Sequence, residues 1–173
     1  MKRSDIITTP DYYTRYINLV DDEDLMILLP KGGIHLLEQD LSLLQRIGLQ
    51  TYEEGKWTVN QIVEHLIDTE RIFLNRALRF ARKDQTNLPG YEENDYAETA
   101  RSNDRDIVDL INEYKIVREG TTYFFKHLNR EQLLAEGTAN GQRISVLAMG
   151  FILIGHPIHH HQVILERYAP LVV

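Results

Sequence analysis

The apolar positions of this chain fall into four runs at three-to-four spacing, the period of a helix with one buried face. The first covers about residues 24–48, where Leu36, Leu37, Leu41 and Leu44 form the stripe and Gly48 is a plausible stop. Pro30 and the pair Gly32-Gly33 break it near its start, so its regular part begins after them. The second opens on a capping box, Thr58 to Gln61, and continues to about Lys83 with Ile62, Leu66, Ile72 and Phe73 inward. The third runs from near Ser102 to Leu128 on Ile107, Leu110, Ile111, Tyr114 and Val117, weakened locally at Gly120. The fourth takes Ser145 as its N-cap and ends near Arg167, before Pro170.

Between the runs, DQTNLPGYEENDY (84–96) reads as a loop with a Pro-Gly turn, long enough to cover something. AEGTANGQR (135–143) reads as a turn-rich link able to pair as a small hairpin. The aromatic and β-branched DYYTRYINLV (11–20) predicts a short extended arm lying on the helices. No repeat, linker or low-complexity stretch divides the chain. The expected fold is therefore all-α, one four-helix bundle domain over residues 1–173 with a short N-terminal arm.

Composition narrows the function classes. Hydrophobic residues at 43% and charged ones at 26% of 173 suit a folded globular chain. The longest apolar run, VLAMGFILIG (146–155), is about half the ~20 residues that span a bilayer, so no membrane role is expected. MKRSDIITTP has basic residues with no apolar stretch behind them, unlike a secretory signal, and the expected location is the cytoplasm. Without cysteine there is no disulfide, thiolate ligand or cysteine nucleophile, and any thiol chemistry must use a thiol carried by a substrate. A net charge of −7 opposes nucleic acid as a partner, since that binding relies on Lys and Arg displacing counterions.

Against this background GHPIHHHQVILERY (155–168) stands out, with four histidines in six positions. At about 100° per residue, His156 and His160 lie about 40° apart on successive turns and can address one object. Met149, Leu153 and Val163 share their side, which marks it as inward, whereas His161 points away and His159 lies at the flank. His65 falls within the apolar stripe of the second run. One inward histidine is usually satisfied by a neighbouring hydrogen-bond partner; three on two helices share their lone pairs better with a divalent cation. His65, His156 and His160 are thus the candidate ligands. Their nitrogens suit zinc, nickel, iron or copper better than magnesium or calcium. Zinc is expected first, with nickel, iron or manganese as alternatives.

Three histidines leave coordination positions open, as catalytic metals require, unless His159, Glu64 or Asp68 closes the site into a structural one. His159 and Glu64 are the candidate general bases; the alternatives are a surface or supporting role for His159 and a solvated one for Glu64. Arg71, Arg76, Arg79 and Arg82 form either a cationic mouth for an anionic cosubstrate or ion pairs with carboxylates such as Glu70. Pro157 excludes the helical zinc-protease motif, which needs Glu after its first His, and no histidine has the Glu three residues earlier that marks di-iron bundles.

KWTVNQIVEHLIDTERIFLNRALRFARKD together with ISVLAMGFILIGHPIHHHQVILERY resembles the DinB-like superfamily, which includes bacillithiol S-transferases and other thiol-dependent enzymes. The resemblance implies an up-up-down-down four-helix bundle, often a homodimer. It implies a divalent metal held by one histidine of the second helix and two of the fourth, here His65, His156 and His160. The expected activity is metal-dependent activation of a small thiol, as in an S-transferase acting on an electrophile, or of water, as in a hydrolase. The rival reading is a non-catalytic metal-binding bundle acting as a structural or dimer module. Pro157 departs from the family, where an acidic residue often follows the first histidine, and it predicts a kink within the motif.

Overall fold

The computed structural model describes residues 1–172. In chain order the principal elements are α1 (Asp11–Ile17), α2 (Leu25–Leu28), α3 (Ile34–Gln39), α4 (Leu41–Ile47), α5 (Val59–Ala81), α6 (Glu93–Thr99), α7 (Ile107–Lys126), α8 (Arg130–Leu133), β1 (Glu136–Ala139), β2 (Gln142–Ser145) and α9 (Val146–Val163). Beyond α9 the chain winds into a π-helical turn, Ile164–Tyr168. The expected all-α four-helix bundle forms, with α2–α4 as its broken first member and α5, α7 and α9 as the others.

Local signals set several boundaries as expected. Gln61 N donates to Thr58 Oγ1 (3.2 Å) and Thr58 N to Gln61 Oε1 (2.9 Å), closing the capping box of α5. Ser145 Oγ accepts from Ala148 N at 3.2 Å and starts α9. The hairpin pairs Ala139 with Gln142 around Asn140-Gly141, both at positive φ, as a two-residue turn matched to strand twist requires.

Other expectations are corrected. The N-terminal arm is helical rather than extended: Tyr13, Tyr16 and Ile17 recur at helical spacing and turn inward from α1 onto the bundle. The first run is cut at Pro30 through Gly33, which has φ +74°, as expected, but it is also cut a second time at Asp40. The third helix proper starts one turn late, with Asp106 accepting from Val108 N at 2.7 Å, because Ser102–Asp104 forms its own 3-10 turn. The long loop 84–96 ends inside α6, and its Leu88 pairs with Thr138 and Asn140 at the hairpin's edge.

Side-chain partners give the helix directions. Thr58 meets Asn103, Glu64 meets Arg105 and Arg71 meets Glu113, so α5 and α7 run parallel. Gly32 lies against Ile154 and His161 bonds Asp40, so the first member and α9 run parallel as well. Trp57 receives the Tyr168 hydroxyl while His65 faces His156, which sets α9 antiparallel to α5. The bundle has two helices in each direction, as implied, but the like-directed pairs are second with third and first with fourth. The 25 residues from 82 to 106 allow this, because they carry the chain back along the bundle before α7 starts.

The core is split in two. One apolar cluster holds Leu25, Leu29, Phe73, Phe80, Phe125 and the first half of α9. The other holds Leu37, Leu44, Ile62, Leu66, Leu110 and Ile164. Between them each long helix contributes a buried polar residue: Glu70 from α5, Arg118 from α7 and His156 from α9. α1 closes the layer from outside by resting its backbone on α9 at Gly155, where a Cβ would lie 2.0 Å from the Tyr16 carbonyl oxygen. Gly155→Ala is therefore expected to push α1 off α9 and cost about 1–3 kcal/mol, with the loss read as a lowered midpoint in urea.

Candidate metal centre

α5 and α9 cross so that three imidazoles meet at the floor of a cleft. His65 Nε2 lies 3.2 Å from His156 Nε2, and His160 Nε2 lies 3.0 Å from the same atom. All three ligand nitrogens fall within 4.8 Å of one another. Two nitrogens each about 2.0–2.1 Å from one ion, at angles between octahedral and tetrahedral, lie about 2.9–3.4 Å apart, so this spacing fits a shared divalent cation. Three neutral imidazoles offer each other too few N–H donors for these lone pairs, which is the chemical reason such a cluster favours a metal.

Surroundings hold the rings and keep them neutral. Trp57 packs on His65 with centroids 4.9 Å apart, and Tyr16 meets His156 edge-on at 5.0 Å. Burial pushes His65 down to about 4, and burial together with the neighbouring imidazoles holds His156 and His160 well below the usual histidine range. At neutral pH all three present free lone pairs.

Pro157 sits in the middle of this motif without ending the helix, since α9 continues from Val146 to Val163. The carbonyl it leaves without a helical partner, that of Leu153, accepts instead from Arg118 Nη2 at 2.7 Å. The pyrrolidine ring is seated against Gly33, where a Cβ would lie 2.4 Å from Pro157 Cγ. A glycine at positive φ across the interface and an arginine on α7 thus accommodate the proline and preserve the spacing of His156 and His160.

The cleft above the triad has a volume of about 630 Å³ and is walled by α1, α5, α9, the loop after α5 and the hairpin. The three triad residues line it, and among the described residues no carboxylate joins the ligand group. His159 lines the cleft and lies 5.3 Å, centroid to centroid, from Tyr16. Glu64 does not reach it: adjacent to His65 in sequence, it turns toward α7 and accepts from Arg105 at 3.1 Å. Asp68, also weighed as a ligand, lies beside Arg71. Glu64→Gln is accordingly expected to leave the metal-to-protein ratio unchanged, as read by elemental analysis.

The arginines also separate. Arg71 pairs with Glu113 and Arg79 with Asp84, Arg82 is exposed, and only Arg76 lines the cleft. The partner of Glu70 is Arg118, 48 residues away and outside the set weighed from sequence. Arg15, also missed, lies over Tyr12 and Tyr16 at the cleft edge, 4.2 and 4.7 Å from the ring centroids. Its spacing from the tyrosines at i−3 and i+1 was visible, but only a helical α1 gives that spacing meaning.

The fold has solved counterparts. YfiT from Bacillus subtilis, described as a probable metal-dependent hydrolase with an unusual four-helix bundle topology, superposes with a TM-score of 0.69 at 18% identity, over 95% of this chain and 90% of that one. A mycothiol-dependent maleylpyruvate isomerase superposes with a TM-score of 0.64 at 17% identity, over 82% of this chain and 60% of that longer one. No curated protein sequence matches at a significant level. At such identities the two structures speak for the fold alone. A sequence model of the DinB superfamily matches residues 7–164, which include His65, His156 and His160, and the chain therefore belongs to that superfamily.

Proposed function

We propose that this protein is a metal-dependent enzyme that activates a small thiol or water against an electrophilic small molecule, as an S-transferase or a hydrolase. The observation that carries the reading is the convergence of three neutral imidazole nitrogens on the floor of an open cleft. A divalent transition metal, zinc foremost and nickel, iron or manganese as alternatives, would supply Lewis acidity there and lower the pKa of a thiol or water. The chain's own part is to hold that ion with His65, His156 and His160 and to leave its remaining positions toward the cleft. Trp57 and Tyr16 fix the ring planes. His159, at the cleft wall and held below the usual histidine range by burial and Arg15, is proposed to take the proton that the nucleophile gives up. A homodimer, as the family resemblance implies, and a cytoplasmic location belong to the same reading.

The test starts with elemental analysis of untagged protein beside a His65→Ala, His156→Ala double variant. One equivalent of divalent metal in the parent, lost in the variant, is the expected result. The loaded protein is then offered electrophiles with a thiol cosubstrate, and esters and amides with water alone. Turnover in the first set identifies an S-transferase and in the second a hydrolase. Metal uptake without turnover in either supports the non-catalytic bundle, and no uptake even after reconstitution removes the metal reading.

A further inference from the structure

Two arginines are buried among the described residues, and they are treated differently. Arg118, 1% exposed, has all five of its N–H donors placed: Nε and Nη2 on the Glu70 carboxylate, Nη1 on the carbonyls of Leu29 and Gly32, and Nη2 again on that of Leu153. Arg76, 5% exposed, has one carbonyl acceptor, Pro89 at 2.9 Å, the Tyr13 hydroxyl beside it, and the face of Phe73 at 5.3 Å. Among the described residues it takes part in no ion pair, although every other arginine along α5 up to residue 79 does. Glu93, on the same cleft, is exposed and forms no bridge to it.

A guanidinium withdrawn from water without a counter-charge is costly unless an anion arrives to pair with it. Arg76 lines the cleft whose floor is the histidine triad. On α5 it follows His65 by 11 residues, which is three turns and within about 20° of the same face, so their Cα atoms are separated by about 16 Å. Thr69, between them on that face, also lines the cleft and meets the Tyr91 hydroxyl at 2.8 Å. The cleft is therefore a track with a reactive floor at one end and an unpaired cation at the other.

We propose that Arg76 is an anion-binding subsite, and that the small molecule taken by this cleft is elongated, with a carboxylate or similar oxyanion at one end and its reacting group at the triad. The inference rests on the cleft being the reaction site and adds to it the charge and length of the ligand. The planar fork of Arg76 suits a carboxylate in two-point contact, with the Tyr13 hydroxyl as a third donor. Phe73 and the tyrosines along the wall suit an apolar spacer.

The probes are ω-mercaptocarboxylates of increasing length, each beside its neutral primary amide and its phosphonate, titrated calorimetrically into zinc-loaded protein. At the length that spans the track the acid is expected to bind roughly tenfold tighter than the amide, the scale of a charge-assisted hydrogen bond. Arg76→Gln is expected to abolish that preference, and Arg76→Lys to keep part of it. If Arg76→Gln fails to fold, a Lys variant that retains the full preference at every length overturns the two-point contact. Preference for the phosphonate over the acid would name a phosphoryl tail rather than a carboxylate and still support the subsite. Equal binding of acid and amide in the parent, or a preference that survives Arg76→Gln, overturns the proposal. A second arm titrates heptanoate and heptanamide into chelator-treated protein. An Arg76-dependent preference there, in a protein that takes up no metal, upholds the subsite while removing the metal reading; metal uptake without any preference does the reverse.

Discussion

Arg118→Ala is expected to destabilise the fold by about 3–5 kcal/mol, the scale of breaking a buried ion pair from one side. The loss should be readable as an unfolding midpoint shifted far down in urea. The magnitude follows from what is left behind. Glu70 is fully buried, and without Arg118 its carboxylate loses its counter-charge and both guanidinium donors, with the Tyr114 hydroxyl left beside it. The carbonyls of Gly32 and Leu153 lose the Arg118 donor at the same time, and that of Leu29 keeps only Gly32 N at 3.3 Å. Those groups belong to the broken first member, α5 and α9, so one side chain on α7 ties together every member of the bundle at the level where its two apolar clusters meet. Replacing both charges, as in Glu70→Leu with Arg118→Met, is expected to recover most of the loss, because no buried charge then remains unpaired. Adding Pro157→Ala to that variant restores a helical donor to the Leu153 carbonyl and should return about 1 kcal/mol more. A single Arg118→Ala variant with near-parental stability would show that this layer does not hold the helices together.

Zinc should stabilise the parent by about 4 kcal/mol when free metal exceeds its dissociation constant a thousandfold, since only the folded chain brings the three nitrogens together. The triad is drawn from helices 91 residues apart in sequence at the His65 to His156 contact. An unfolded chain retains only the local pair His156 and His160, which binds metal far more weakly. In the His65→Ala, His156→Ala variant one imidazole is left, and the zinc-dependent increment is expected to vanish. The comparison is made between increments with and without zinc in each protein, so that any cost of the substitutions themselves cancels. A zinc increment that persists in the variant would place the ion elsewhere on the molecule.

These two experiments probe neighbouring parts of one layer. Arg118 secures the carbonyl that Pro157 abandons one turn before His156 completes the triad, so a loosened Arg118 should also loosen zinc. Weakened zinc uptake in any folded Arg118 variant would reveal that link.

Helical phase alone chose His65, His156 and His160. Spacing of four places two imidazoles on successive turns, and the stripe of Ile62 and Leu66 turns His65 inward; both are properties of a few consecutive residues. The capping box at Thr58, the Ser145 cap and the Asn140-Gly141 turn were legible for the same reason, since their partners lie within four residues. The helical conformation of α1 was missed because its aromatic residues suit strand and helix alike, and packing on Gly155 decides between them. Glu64 beside His65 looked available for catalysis. Successive helical residues diverge by about 100°, and the segment just before α7 supplied Arg105 to the face that Glu64 occupies.

The partners that charged residues find on other helices were decided by tertiary structure alone. Nothing near Glu70 announces Arg118, and nothing near Arg76 announces that it has no counterpart among the described residues, because ion pairs between helices depend on which faces the bundle brings into register. Local sequence determined which side chains could hold a metal. Only the packing of α1, α5 and α9 decided that they surround a cleft, and that its far end carries an unpaired charge.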